Sequence, residues 1–246
     1  MSTNSVESKK LGIRATIKKG DGLLNRILRK AYFAVDRAEL PIPRIICKIL
    51  WLTVRFLVNA YYFGKSKFWV TPLYRGLCFT VGKAFRAGTF VPFVEGSGRI
   101  LVGDNVKFYG KQTFLFASIK QEIPAIDIGD DATIGHNVVF DIAGKLVIGN
   151  HCMVASGVMF QDCSGHSIVA ELRKADVPPM EKDVRDITIG NNVWIGTGVY
   201  ILSGAVIGNN CVIAANTLVS KRIPDNSLVY APGPKVIEIR NISKVI

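Results

Sequence analysis

Residues 189–224 read IGNNVW, IGTGVY, ILSGAV, IGNNCV, IAANTL and VSKRIP when cut every six residues. The first letters are Ile189, Ile195, Ile201, Ile207, Ile213 and Val219, and the fifth letters are Val193, Val199, Ala205, Cys211, Thr217 and Ile223. A helix would rotate these positions around its axis, and an ordinary half-buried strand would repeat every second residue. A period of six instead predicts a solenoid of short strands. Each large aliphatic stacks on its equivalent in the next coil, small residues fill the corners, and Gly and Asn make the turns.

The same rhythm reaches back toward the N-terminus in three further runs: Val102, Phe108, Phe114; Ile128, Ile134, Phe140; and Ile148, Val154, Phe160. Short slips separate the runs, as insertions at a coil corner would. The largest break follows Phe160, where QDCSGHSIVAELRKADVPPMEKDVRDIT intervenes before Ile189. Its charges, prolines and lost period mark residues 161–188 as an excursion from the solenoid, the kind of loop on which repeat scaffolds build sites. The coil is expected over residues 91–240. Residues 225–246 are expected to cap it through Val236, Ile237 and Ile239, because an uncovered last coil presents unpaired backbone groups.

The N-terminal part has a different character. Residues 1–100 hold 18 Lys/Arg against 5 Asp/Glu, while the rest holds 13 against 14, so all of the net +12 lies there. Residues 1–22 are polar and basic, without the apolar core and cleavage site of a secretory signal, and are expected to form a mobile tail. Residues 23–90 are expected to be helical. Leu23, Leu24, Ile27, Leu28, Ala31 and Val35 recur at three-and-four spacing up to Pro41 and Pro43. In RIICKILWLTVRFLVNAYYF, residues 44–63, the polar Arg44, Lys48, Arg55 and Asn59 fall on one helical stripe and the rest is aliphatic or aromatic.

The two charges inside this run of about 20 residues, Lys48 and Arg55, argue against a clean membrane span. A basic stripe among Trp, Phe and Leu suits an interfacial helix drawn to acidic lipids through residues 44–75. The alternatives are ordinary packing against the solenoid and a true span. The apolar setting of the basic residues does not suit nucleic acid. Five cysteines at 47, 78, 152, 163 and 211 show no metal-type pairing, and Cys152 and Cys211 fall on fifth letters, as small core residues in a reducing cytoplasm.

Of the three histidines, His136 and His151 are turn letters of IGHNVV and IGNHCM, whereas His166 stands at the mouth of the excursion in DCSGHS. The spacing of the three differs from that of zinc-binding relatives of such coils, and no metal is expected.

The run IGNNVWIGTGVYILSGAVIGNNCVIAANTLVSKRIPDNSLV, with GHSIVAELRK upstream, resembles the hexapeptide-repeat acyltransferases, and in particular the galactoside and maltose O-acetyltransferases. The resemblance covers about residues 126–240 and implies an all-β, left-handed parallel β-helix, here with an N-terminal α-helical extension. The handedness comes from the resemblance alone. It implies a homotrimer with sites between subunits, acetyl-CoA as donor and a sugar hydroxyl as acceptor, and it makes His166 the catalytic base. Imidazole titrates near neutrality and can take the hydroxyl proton as the oxygen attacks a thioester.

On the same ground Asp141, Asp162, Glu171 and Arg173 are expected around the acceptor. Trp194, Thr197, Ala215, Ser220, Lys221, Arg222 and Lys235 are expected along coenzyme A, the basic ones near its phosphates. The family's closing motif appears here as APGPK, residues 231–235, and Glu238 stands where a basic residue is common. With the basic N-terminus, the acceptor is expected to be a glycan or lipid-linked glycan precursor, as in capsule, exopolysaccharide or O-antigen assembly. The protein would sit in the cytoplasm, on the inner face of the membrane. An N-acyltransferase, or a membrane-held scaffold without activity, would share most of these features.

Overall fold

The computed structural model describes residues 23–36, 42–167 and 169–231. The chain divides into two compact units, residues 1–56 and 57–246. The expected tail (1–22) and the capping residues 236, 237 and 239 lie outside the described residues, as does Lys235.

Helix α1 spans Leu23–Asp36 and helix α2 spans Arg44–Lys65. The 22 residues of α2 extend about 33 Å. None of them is buried, and Trp51, Phe56 and Phe63 lie in solvent. Arg44–Leu77 is, by length and composition alone, long and apolar enough to cross a membrane. A π-helical turn at Ser66–Val70 leads from α2 into helix α3 at Thr71–Leu77, whose first turn carries Pro72.

Three all-parallel sheets of seven, seven and six strands follow, and successive strands of the chain visit them in rotation. In the first sheet Val102, Ile128, Ile148, Ile189, Ile207 and Ile223 stand in register. In the second the ladder is Phe108, Ile134, Val154, Ile195, Ile213 and Val229. In the third it is Phe114, Phe140, Phe160, Ile201 and Val219. Apart from Val229, which is partly exposed, all of these side chains are buried. Phe114 on Phe140 and Phe140 on Phe160 stack at 5.0 and 5.4 Å, nearly parallel.

Each run of three hexads is therefore one coil. From Val102 onward the step from first sheet to second and from second to third is always six. From third back to first it is 14, 8, 29, 6 and 4 residues, so every slip after Val102 falls at one corner. The last step corrects the reading of VSKRIP. Ile223 is not a corner filler but stacks on Ile207, because two residues are missing at that corner. At the corner between the first two sheets, Asn105, Asp131, His151, Asn192, Asn210 and Asn226 all take φ of 55–57°, a conformation that short polar residues tolerate best. His151 is one of this row.

Strands begin earlier than expected. Thr80–Val81 and Arg86–Ala87 already pair with the next coil, inside the segment read as helical to residue 90. The irregular turns between these two-residue strands hide the period there.

The first coil would leave its apolar end open, and α3 closes it. Val70 and Tyr74, four residues apart, are fully buried, and the Tyr74 ring meets Phe85 and Phe108 at 5.9 and 5.3 Å. The Tyr74 hydroxyl donates to Oε1 of buried Gln112 at 2.6 Å, and Gln112 Nε2 donates to the carbonyls of Tyr109 and Gly135. Tyr74→Phe leaves that oxygen buried without a partner and is expected to cost about 1–3 kcal/mol in urea unfolding. A loss below about 0.5 kcal/mol would mean that this hydrogen bond does not contribute to closing the end.

Candidate active site

The excursion is anchored before it is exposed. Asp162 and Cys163 continue from the third-sheet strand Met159–Gln161 into the interior, and Val184 returns the chain just before Ile187–Ile189. Cys163 and Val184 pack on Ala143, with Ala117 and Ile119 alongside, in a small apolar cluster separate from the main core. Ala117 and Ile119 come from the 14-residue step and Ala143 from the 8-residue step. Three successive insertions at one corner thus form a common floor. Lys120 to Asp186 (3.4 Å) and the Lys145 N–H to Asp186 Oδ1 (3.1 Å) tie the same corner together.

Above this floor Ser164, His166 and Ser167 face a cleft of about 490 Å³, closed on the other side by Met180, Asp183, Arg185 and Ser203. His166 is exposed. The Ser164 hydroxyl donates to its carbonyl at 2.9 Å, which shapes the loop while leaving the imidazole to the cleft. Arg185 Nε donates to Ser203 Oγ at 3.2 Å, and Asp183 Oδ2 accepts the Met180 N–H at 3.1 Å. An imidazole among hydroxyls, the Arg185 guanidinium, the Lys182 ammonium and one carboxylate can hold a polyhydroxy ligand and move a proton on it.

The other residues expected near the acceptor are placed differently. Asp162 is fully buried, with Oδ1 accepting the Ala143 N–H at 2.8 Å and Oδ2 the Gly144 N–H at 2.7 Å. This corrects the expectation of acceptor contact, since both oxygens are engaged and out of reach. Burial pushes its carboxyl up to about 6, against the lowering effect of those two N–H groups. Asp141 is half-buried, accepts from Gln161 Nε2 at 3.0 Å, and is raised chiefly by burial. Glu171 and Arg173 lie exposed on the short helix α4, Ala170–Lys174, where Arg173 Nη1 donates to the Ser167 carbonyl at 2.9 Å. None of these four lines the cleft. Sequence reasoning missed Arg185 and Ser203. Their only signal was a cation just before the period resumes and a serine at a letter usually given to Gly or Asn.

The residues expected at the donor divide between two corners. Trp194 is exposed on the outer side of the second sheet, and with Thr197, His136, Met153, Ala155 and Ser156 it lines a groove of about 340 Å³. Thr197 and Ala215 are exposed in equivalent turns of neighbouring coils, between second and third sheets. Ser220 and Lys221 are exposed at the corner that carries the excursion, and Arg222 opens the last strand of the first sheet. Within one chain, His166 and the Trp194 groove share no lining residue.

Residues 186–221 match the bacterial transferase hexapeptide model of six repeats. No curated protein matches the sequence. Among solved structures, an N-acyltransferase variant from Bacillus cereus, in complex with dTDP-4-amino-4,6-dideoxyglucose and coenzyme A, is 18% identical with a TM-score of 0.50. The match covers 68% of this chain and 87% of that one. A maltose O-acetyltransferase from Clostridium difficile 630 is 30% identical over 63% of this chain and 65% of its own, with a TM-score of 0.38. A hexapeptide-repeat-containing acetyltransferase from Vibrio cholerae is 26% identical over 63% and 69%, with a TM-score of 0.42. Its hexads, matched over residues 186–221 to the bacterial transferase hexapeptide model, stack into three parallel faces, so the chain carries bacterial transferase hexapeptide repeats.

Proposed function

We propose that this chain is an acyltransferase that moves an acetyl group from acetyl-CoA to a sugar hydroxyl, with His166 as general base. The observation that carries the reading is the exposed imidazole in a hydroxyl-rich cleft at the corner that carries the longest interruption of the repeat. Acetyl-CoA, when bound, supplies an acetyl thioester. His166 takes the acceptor's hydroxyl proton as its oxygen attacks the thioester carbon, and the proton passes to the departing thiolate as the carbon–sulfur bond breaks. The groove beside Trp194 and Thr197, floored by Gly135, Ala155 and Ser156, fits a narrow flexible arm. Lys221 and Arg222 suit its phosphates.

Cleft and groove are separate in one chain, which supports a homotrimer of left-handed coils in which the groove of one subunit faces His166 of the next. The exposed aromatic and basic run of α2 supports attachment to the inner face of the cytoplasmic membrane, and through it a lipid-linked glycan acceptor. Titration with coenzyme A separates the enzyme from a scaffold: saturable binding is expected, and its absence would overturn the reading. Mass spectrometry of acetylated glycans from cells with and without the chain identifies the acceptor. A product acetylated on nitrogen would replace the hydroxyl with an amine and keep the same base.

A further inference from the structure

We infer that the cavity between the end of α2 and the first rungs of the second sheet takes the phosphate of an anionic membrane lipid. It measures about 380 Å³, is lined by Tyr62, Phe63, Ser66, Arg86, Lys107 and Tyr109, and lies wholly within residues 57–246. Neither the His166 cleft nor the Trp194 groove reaches its cations.

Arg86 and Lys107 are register partners on adjacent parallel strands. Strands so paired run about 4.8 Å apart, and like charges side by side repel. Among the described residues the carboxylates within 4 Å of a basic side chain are Asp186 beside Lys120 and Asp131 beside His151, so no carboxylate there relieves this pair. Arg86 Nη2 donates to Asn105 Oδ1 at 3.3 Å, which leaves most of its donor fork for a ligand. The phenols of Tyr62 and Tyr109 add two further donors, while the Ser66 hydroxyl is committed to the Ala87 carbonyl at 2.6 Å. A tetrahedral dianion can accept from two cations and two phenols at once.

The source of that phosphate follows from what surrounds the cavity. Tyr61, Phe63, Phe68 and Trp69 are 63%, 63%, 82% and 65% exposed on the helical run that forms one wall, interleaved with Lys65 and Lys67. Aromatic rings mixed with lysines in this way belong at the headgroup level of a bilayer. This step rests on the membrane reading proposed above.

The test titrates the full chain with dioctanoyl phosphatidic acid below its micellar concentration, and separately with inorganic phosphate. In parallel the chain is sedimented with vesicles of phosphatidylcholine, alone or mixed with phosphatidic acid. The short-chain lipid is expected to raise the Tm of the unaltered chain and to bind Lys48→Gln/Arg55→Gln equally well. It should bind Arg86→Gln/Lys107→Gln at least about tenfold more weakly. Equal affinity for the unaltered chain and Arg86→Gln/Lys107→Gln, or inorganic phosphate binding as tightly as the lipid, would overturn the inference. Cavity binding without vesicle sedimentation would support the inference and remove membrane attachment, and sedimentation with unchanged probe binding would do the reverse.

Discussion

His166→Ala is expected to lower kcat by about 10²–10⁴-fold while leaving the fold intact, because removal of a positioned proton acceptor costs about that much in acyl transfer. The side chain is exposed, and the hydrogen bond recorded at this residue goes to its backbone carbonyl, which alanine keeps. The Tm should therefore stay close to that of the unaltered chain, as for surface substitutions generally. Coenzyme A affinity is the second readout, since the Trp194 groove is lined by other residues. Steady-state kinetics with calorimetric titration of coenzyme A would show lost turnover with retained binding. Near-normal kcat would remove His166 from the chemistry. Lost binding and lost Tm together would mean that the loop holds the fold rather than the reaction.

The coil was legible because its physics is written locally. Ile189, Ile195 and Ile201 follow one another at a fixed step, and each pairs with the residue one coil away, so the sequence period and the spatial ladder coincide. Where the period slips, sequence shows only that something has been inserted. That the 14-, 8- and 29-residue steps share one corner, with Ala117, Ala143 and Cys163 beneath one cleft, is a property of three distant stretches at once. Asp162 was misread for the same reason. Adjacent to a catalytic loop, an aspartate looks like a ligand contact, and only the Ala143 and Gly144 N–H groups from the previous coil reveal its other task. Tyr74 gave no period at all, because an end cap is met once per solenoid.

Asp162 yields a pH-dependent prediction of unusual sign. Its carboxyl ionises near 3.8 when unperturbed and near 6 in the folded chain, with desolvation outweighing the two N–H groups. Between those values the folded state holds a proton that the unfolded state has lost, so stability contributed by this group is fully present below about 4. It falls as pH rises toward about 6, and stays low above it. Two units correspond to about 3 kcal/mol. Asp162→Asn and Asp162→Ala do not titrate, so their deficit relative to the unaltered chain should be largest at low pH and shrink by up to about 3 kcal/mol toward neutrality. Urea unfolding across pH 4–7 measures that difference directly and cancels the other carboxylates. At every pH Asp162→Ala also takes the acceptor from the buried Ala143 N–H, at about 1–3 kcal/mol, and from the half-buried Gly144 N–H, at less. A deficit that grows with pH instead would mean that the Ala143 and Gly144 N–H groups win over burial. Asp162 would then be a charged anchor of the corner from which the His166 loop departs.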